Sequence, residues 1–153
     1  TDWGGHKFGG AMHGLGVDHT GPTEILLPDG KDVKYLTYVF ANGMKINVGG
    51  GQGYLCESGK VQPKRQEKVP PGLRWYNDGA SNPISDLVKC VKTRKKPFRD
   101  VEYAHRVATV CHLGNIALML GRDLKWNPDK EEFVNDVEAN RLVDRPRRGP
   151  WQI

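Results

Sequence analysis

The stretch from Leu120 to Trp151 constrains the fold most. It reads Leu120-Gly121-Arg122-Asp123-Leu124-Lys125-Trp126-Asn127-Pro128, then Phe133, then Asp136-Val137-Glu138-Ala139-Asn140-Arg141-Leu142, and finally Arg145-Pro146-Arg147-Arg148-Gly149-Pro150-Trp151. Gly121 is placed to stop a preceding helix. Lys125-Trp126 is a short strand and Asn127-Pro128 a turn. Asp136 is an N-cap for a final helix that runs to about Asp144. Trp126 and Trp151 are expected to be anchors, because an indole buries much area and needs one hydrogen-bond partner. A strand, a turn and a capped helix in this order need a sheet and a further helix to close against.

The rest of the chain supplies both. Thr23 to Leu27 has strand character and ends at Pro28-Asp29-Gly30. Val33 to Phe40 and Lys45 to Val48 flank Asn42-Gly43, the strongest short hairpin signal. After Gly49-Gly50-Gly51, Tyr54 to Glu57 and Lys60 to Gln62 continue a meandering antiparallel sheet. Residues 63–82 form a long loop with Pro63, Pro70, Pro71 and Gly72. Asn82 caps a helix that opens at Pro83 and buries a stripe of Ile84, Leu87, Val88 and Val91. Lys92 to Lys96 complement its C-terminal dipole, and Pro97 stops it. Asp100 caps the longest helix, over 101–120, with Ala104, Val107, Ala108, Cys111, Ile116 and Leu118 to Leu120 as its buried surface. At the front, Gly4, Gly5, Gly9 and Gly10 each cost about 1 kcal/mol against alanine in a helix. Phe8, Ala11, Met12 and Leu15 still fall at helical spacing, which predicts a helix over 6–15. Strands followed by helices indicate one α+β domain over 1–153, an open, mostly antiparallel sheet with helices packed on one face.

Several function classes lose support at this level. The net charge is +5, but the basic residues sit in separate short groups, Lys64-Arg65, Lys92 to Lys96 and Arg145 to Arg148. No aromatic-interleaved motif accompanies them, which favours a solvated surface and no nucleic-acid partner. No apolar run approaches the ~20 residues of a membrane span, so no membrane is expected as a partner. Cys56, Cys90 and Cys111 have no metal-ligand spacing and read as reduced thiols, two of them on apolar helix faces. Gly49-Gly50-Gly51-Gln52-Gly53 is not a dinucleotide fingerprint, and neither a P-loop nor a nucleophile-elbow motif occurs.

His6 and His13 are the candidate chemistry. Seven residues apart on a helix, they share a face, with Gly9 and Gly10 between them. Two imidazoles beside a cleft could exchange protons with a substrate hydroxyl near neutral pH. Ordinary surface or hydrogen-bonded histidines are the alternative. His19 sits in a turn before Thr20-Gly21-Pro22. His105 and His112 repeat the spacing on the long helix, where amphipathic placement accounts for them better than metal ligation does.

The opening and the ending together resemble one family. Asp2-Trp3-Gly4-Gly5-His6-Lys7-Phe8, Ala11, Gly14-Leu15-Gly16 and Gly21-Pro22-Thr23-Glu24-Ile25 look like the first helix and first strand of the C-terminal domain of the glucose–fructose oxidoreductase/inositol dehydrogenase/MocA oxidoreductases. The LGRxLxWxPxxExF stretch, the D-x-EAN-x-L helix and the RP-x-R-x-PW tail are similar to the same branch. The resemblance implies a two-domain, nicotinamide-dependent sugar or polyol oxidoreductase. Its N-terminal Rossmann domain would bind NAD or NADP, with no cofactor expected in this stretch. The C-terminal domain would supply the open sheet, much of a pocket for a carbohydrate-like small molecule, and a homodimer interface through the sheet. Alone, it should lack redox activity. Many members carry an aspartate and, four residues on, a histidine on the first helix. Gly9 stands at the aspartate's place and His13 at the histidine's. The resemblance thus implies His13 and His6 as catalytic candidates, with Trp3, Trp75, Tyr76 and Asn77 as substrate contacts. The alternative is a non-catalytic binding or self-association module derived from that family.

Overall fold

The computed structural model describes residues 2–49, 53–56, 59–61, 83–97, 100–144 and 149. The first helix, α1 (Asp2–Leu15), is followed by β1 (Glu24–Leu26), β2 (Leu36–Val39) and β3 (Lys45–Val48). A short pair, β4 (Tyr54–Cys56) and β5 (Gly59–Val61), precedes α2 (Pro83–Thr93) and α3 (Val101–Leu120). The chain continues through β6 (Leu124–Asn127), β7 (Glu132–Phe133) and α4 (Val137–Asn140).

Five strands form one antiparallel sheet in the order β3-β2-β1-β6-β7. Its register explains which side is covered. Ile25 pairs with Tyr38 and with Leu124, and Tyr38 pairs with Ile46. Directly opposed residues share a face, so these four side chains form one apolar surface. All four are buried, together with Met12 of α1 and Val110, Leu113 and Ala117 of α3. Phe8 of α1 meets the Tyr38 ring edge-on at 5.1 Å. The other face carries Glu24, Lys45, Asn47 and Lys125, as the period of two requires. The α+β architecture expected from the sequence is therefore present, with α1 and α3 on one side of an open sheet.

The C-terminal motif is fully accounted for by packing. Trp126 and Phe133 oppose each other across β6 and β7, with ring centroids 4.9 Å apart, and both are buried. Asn140 completes the strand edge: its Oδ1 accepts from the Phe133 N–H at 2.7 Å, and its Nδ2 donates to the Phe133 carbonyl at 2.9 Å. Asp136 caps α4 by accepting from the Ala139 N–H at 3.0 Å. The same carboxylate is gripped by Arg122, which also reaches Glu138 at 3.0 Å. That pairing holds the Asp136 carboxyl at about 2, below the ordinary 3.8. Arg106 extends the lock from α3 by donating to the Pro128 carbonyl at 2.7 Å.

Several expectations are corrected. The first helix begins at Asp2 rather than residue 6. Its glycines are used for close packing: a Cβ at Gly4 would lie 3.3 Å from Cys111 Sγ. The second strand covers 36–39 rather than 33–40, since Asp29 folds the intervening chain by accepting from the Lys31 and Val33 N–H groups at 2.8 and 2.9 Å. At the Asn42-Gly43 turn only Gly43 has positive φ, +82°, so the loop is not the two-residue type I′ hairpin that needs it twice. β4 and β5 form their own two-stranded sheet rather than extending the main one. The α2 stripe is not buried: Ile84, Leu87, Val88 and Val91 are 73, 53, 49 and 59% exposed. On α3, Ala104, Ala108, Leu118 and Met119 are exposed, and Val110, Leu113, Gly114 and Ala117 take the sheet side instead. The final helix ends at Asn140, with turns to Val143. Cys90 and Cys111 are free thiols, but only Cys111 lies in the core; burial pushes its thiol up. The loop 63–82, Trp151 and the Cys56 side chain lie outside the described residues.

Candidate functional site

His13 owes its surroundings to the way α1 stops. Gly16 takes φ +70°, and two backbone bonds close the end: Gly16 N–H to the His13 carbonyl at 3.0 Å, and Val17 N–H to the Met12 carbonyl at 2.9 Å. This is a Schellman pattern, in which a left-handed glycine lets the chain fold back over the last turn. Met12 and Val17, which usually touch in that motif, are both fully buried. The reversal delivers Asp18 to the side of His13. Asp18 Oδ2 lies 2.8 Å from His13 Nδ1, and the two side chains are only 14 and 9% exposed. His19 approaches the other oxygen at 4.0 Å but is itself 78% exposed. A histidine held by a nearly buried carboxylate has its ring orientation and tautomer fixed. Nothing local in the sequence marks Asp18 as its partner.

Residue 9, four positions before His13, is closed to any side chain. A Cβ there would sit 2.9 Å from the Tyr103 hydroxyl, which donates to the Gly9 carbonyl at 2.7 Å. The carboxylate that the family resemblance places at this position is thus replaced by a phenol reaching over from α3. Tyr103 also lines a shallow groove of about 390 Å³ between α1 and α3, with Gly5, Ala104, Val107, Ala108, Cys111 and His112.

His6 and His13 are not brought together. Their helix positions are about 10 Å apart along the axis; His6 is exposed and His13 buried. The His6 ring lies 5.7 Å from Trp3, which is 73% exposed. Trp75, Tyr76 and Asn77 lie outside the described residues. His105 does not pair with His112; its Nε2 lies 2.7 Å from Glu131 Oε1, and the same carboxylate takes Arg106 at 3.3 Å. No metal-binding group of three or more ligands exists among the described residues. No helix of the described residues is long and apolar enough to cross a membrane. The N-termini of α3 and α4 are filled by the Asp100 and Asp136 carboxylates, so a pyrophosphate fits neither.

Residues 2–153 match the family described as the oxidoreductase family, C-terminal alpha/beta domain. No curated protein and no solved structure gives a match.

Proposed function

The chain belongs to the glucose–fructose oxidoreductase/inositol dehydrogenase/MocA oxidoreductases, as their C-terminal domain, and from that premise we propose that it is the substrate-side domain of an NAD(P)-dependent sugar or polyol oxidoreductase. The family match over residues 2–153 carries this proposal. The nicotinamide would be held by a separate N-terminal domain of the parent protein and would supply the hydride acceptor. The residues of this chain would bind and orient a carbohydrate-like molecule and take its hydroxyl proton at His13. The His13–Asp18 pair supports that role, because a base must be held in one orientation to act. His6 and Trp3, exposed together on α1, are available to the same ligand or to the neighbouring domain. A homodimer through the open sheet would rest on polar pairing, given Glu24, Lys45, Asn47 and Lys125 on that face.

The test is expression of the parent coding sequence, followed by NAD+ and NADP+ reduction assays over a panel of polyols and aldoses. Turnover by the parent and none by the 153-residue chain is the expected result. Stoichiometric nicotinamide binding to the isolated chain, measured by calorimetry, would overturn the division of labour. A parent that binds a sugar yet never reduces a nicotinamide would instead favour a non-catalytic binding module.

A further inference from the structure

An ionised carboxylate can only accept hydrogen bonds. The 2.8 Å contact between Asp18 Oδ2 and His13 Nδ1 therefore puts a hydrogen on Nδ1. A neutral ring with that hydrogen carries its lone pair on Nε2. In water an unconstrained histidine prefers the opposite tautomer, so the carboxylate reverses a default. The geometry is built in rather than incidental: Gly16 and Val17 close the helix end, and Asp18 follows immediately.

We propose that Asp18 is the positioning residue of this site. It holds His13 as the Nδ1–H tautomer and makes Nε2 the nitrogen that accepts a substrate proton. This rests on the reading of His13 as the proton-handling residue. In the transfer, the substrate O–H bond breaks and an N–H bond forms at Nε2. The electron pair stays on the substrate oxygen. The resulting imidazolium still donates Nδ1–H to Asp18, which offsets its charge. Tyr103 excludes a carboxylate from residue 9, so the partner comes from beyond the helix end rather than from its preceding turn.

The tautomer is directly measurable. Long-range 1H–15N correlation spectra of the labelled 153-residue chain at about pH 9, where histidines are neutral, should show His13 protonated on Nδ1. His105 should show the opposite pattern, protonated on Nε2 toward Glu131 Oε1 at 2.7 Å, and serves as the internal reference for an intact fold. In Asp18→Ala, His13 should move to Nε2–H while His105 stays unchanged. A folded Asp18→Ala with His13 unchanged overturns the proposal. If that variant does not fold, the native spectrum decides alone: His13 on Nε2–H overturns it. In the parent enzyme, Asp18→Ala should lower kcat roughly 10–100-fold with KM little changed. Nε2–H His13 in an active parent removes the role of Asp18 and leaves the oxidoreductase reading standing. Nδ1–H His13 in a parent without turnover removes that reading and, with it, the catalytic role of the pair.

Discussion

Replacing Gly9 by alanine should destabilise the native protein but stabilise the same protein carrying Tyr103→Phe. Gly9 lies inside α1, where alanine gains about 1 kcal/mol over glycine. Against that, the new methyl would sit 2.9 Å from the Tyr103 hydroxyl. The phenol must tilt away, which breaks its 2.7 Å bond to the Gly9 carbonyl and costs about 1 kcal/mol. Overpacking against a half-buried ring costs about another 1 kcal/mol, at the low end because only the tip of the side chain must shift. The net loss is about 1 kcal/mol. With phenylalanine at 103 the obstruction is gone, and the next atoms are the ring carbon and Val107 Cγ2, both at 3.8 Å, ordinary contact. The helix gain then stands alone, about 1 kcal/mol in favour. The coupling is about 2 kcal/mol, well above the ~0.5 kcal/mol scatter of independent sites. Urea unfolding of the four proteins measures it. Additive effects, or a destabilising Gly9→Ala in both backgrounds, would refute the close approach of Tyr103 to Gly9. The same cycle with Gly9→Asp shows whether a carboxylate can return to this helix once the phenol is shortened.

Asn140→Ala should cost about 2–4 kcal/mol in urea unfolding, because it strips partners from both the N–H and the carbonyl of buried Phe133. The Asp136 carboxyl, held at about 2 by Arg122 and by the Ala139 N–H, contributes stability that is complete above the ordinary 3.8 and lost as pH falls through 2. The thermal midpoint should accordingly fall more steeply between those values in the native protein than in Arg122→Ala; parallel curves would contradict the pairing. Leu87→Ser on α2 should change stability by no more than about 0.5 kcal/mol, since that side chain is 53% exposed; a loss near 2 kcal/mol would mean that the stripe is covered.

Signals that act within a few residues were legible. Asp100, Asp136 and Gly121 mark helix ends by supplying groups to backbone a turn away, and all three do so here. The Lys45–Val48 alternation and the buried Trp126 also follow from local pattern. What could not be read depends on which partner crosses which face. The stripe on α2 is amphipathic by spacing alone, yet spacing cannot say what lies opposite. On α3 the sheet selects Val110, Leu113 and Ala117 over Ala104 and Ala108, a choice set by the rotation of the helix about its axis. The candidate site shows the same division. His13 was found by its position on the first helix. Asp18 was not, because its approach depends on the Schellman reversal, and Tyr103 was not, because it comes from a helix some ninety residues away ( gives a separation of 94).

The place of β1 in the sheet has a kinetic and evolutionary consequence. β1 pairs on one side with β2, a near neighbour in the chain, and on the other with β6, where Glu24 faces Lys125. The first pairing closes a short loop; the second must bring together segments separated by most of the domain. Contacts of that range slow folding, because the loop entropy is lost before the strand pairing returns it. Once that long loop is closed, its length matters little: doubling it adds only about 0.6 kcal/mol. The chain between β3 and α2 can therefore gain or lose residues at small thermodynamic cost, while β1, β6 and the helices above them hold the frame in which His13 and Asp18 meet. Substrate preference could diversify there by insertion, without the frame having to change.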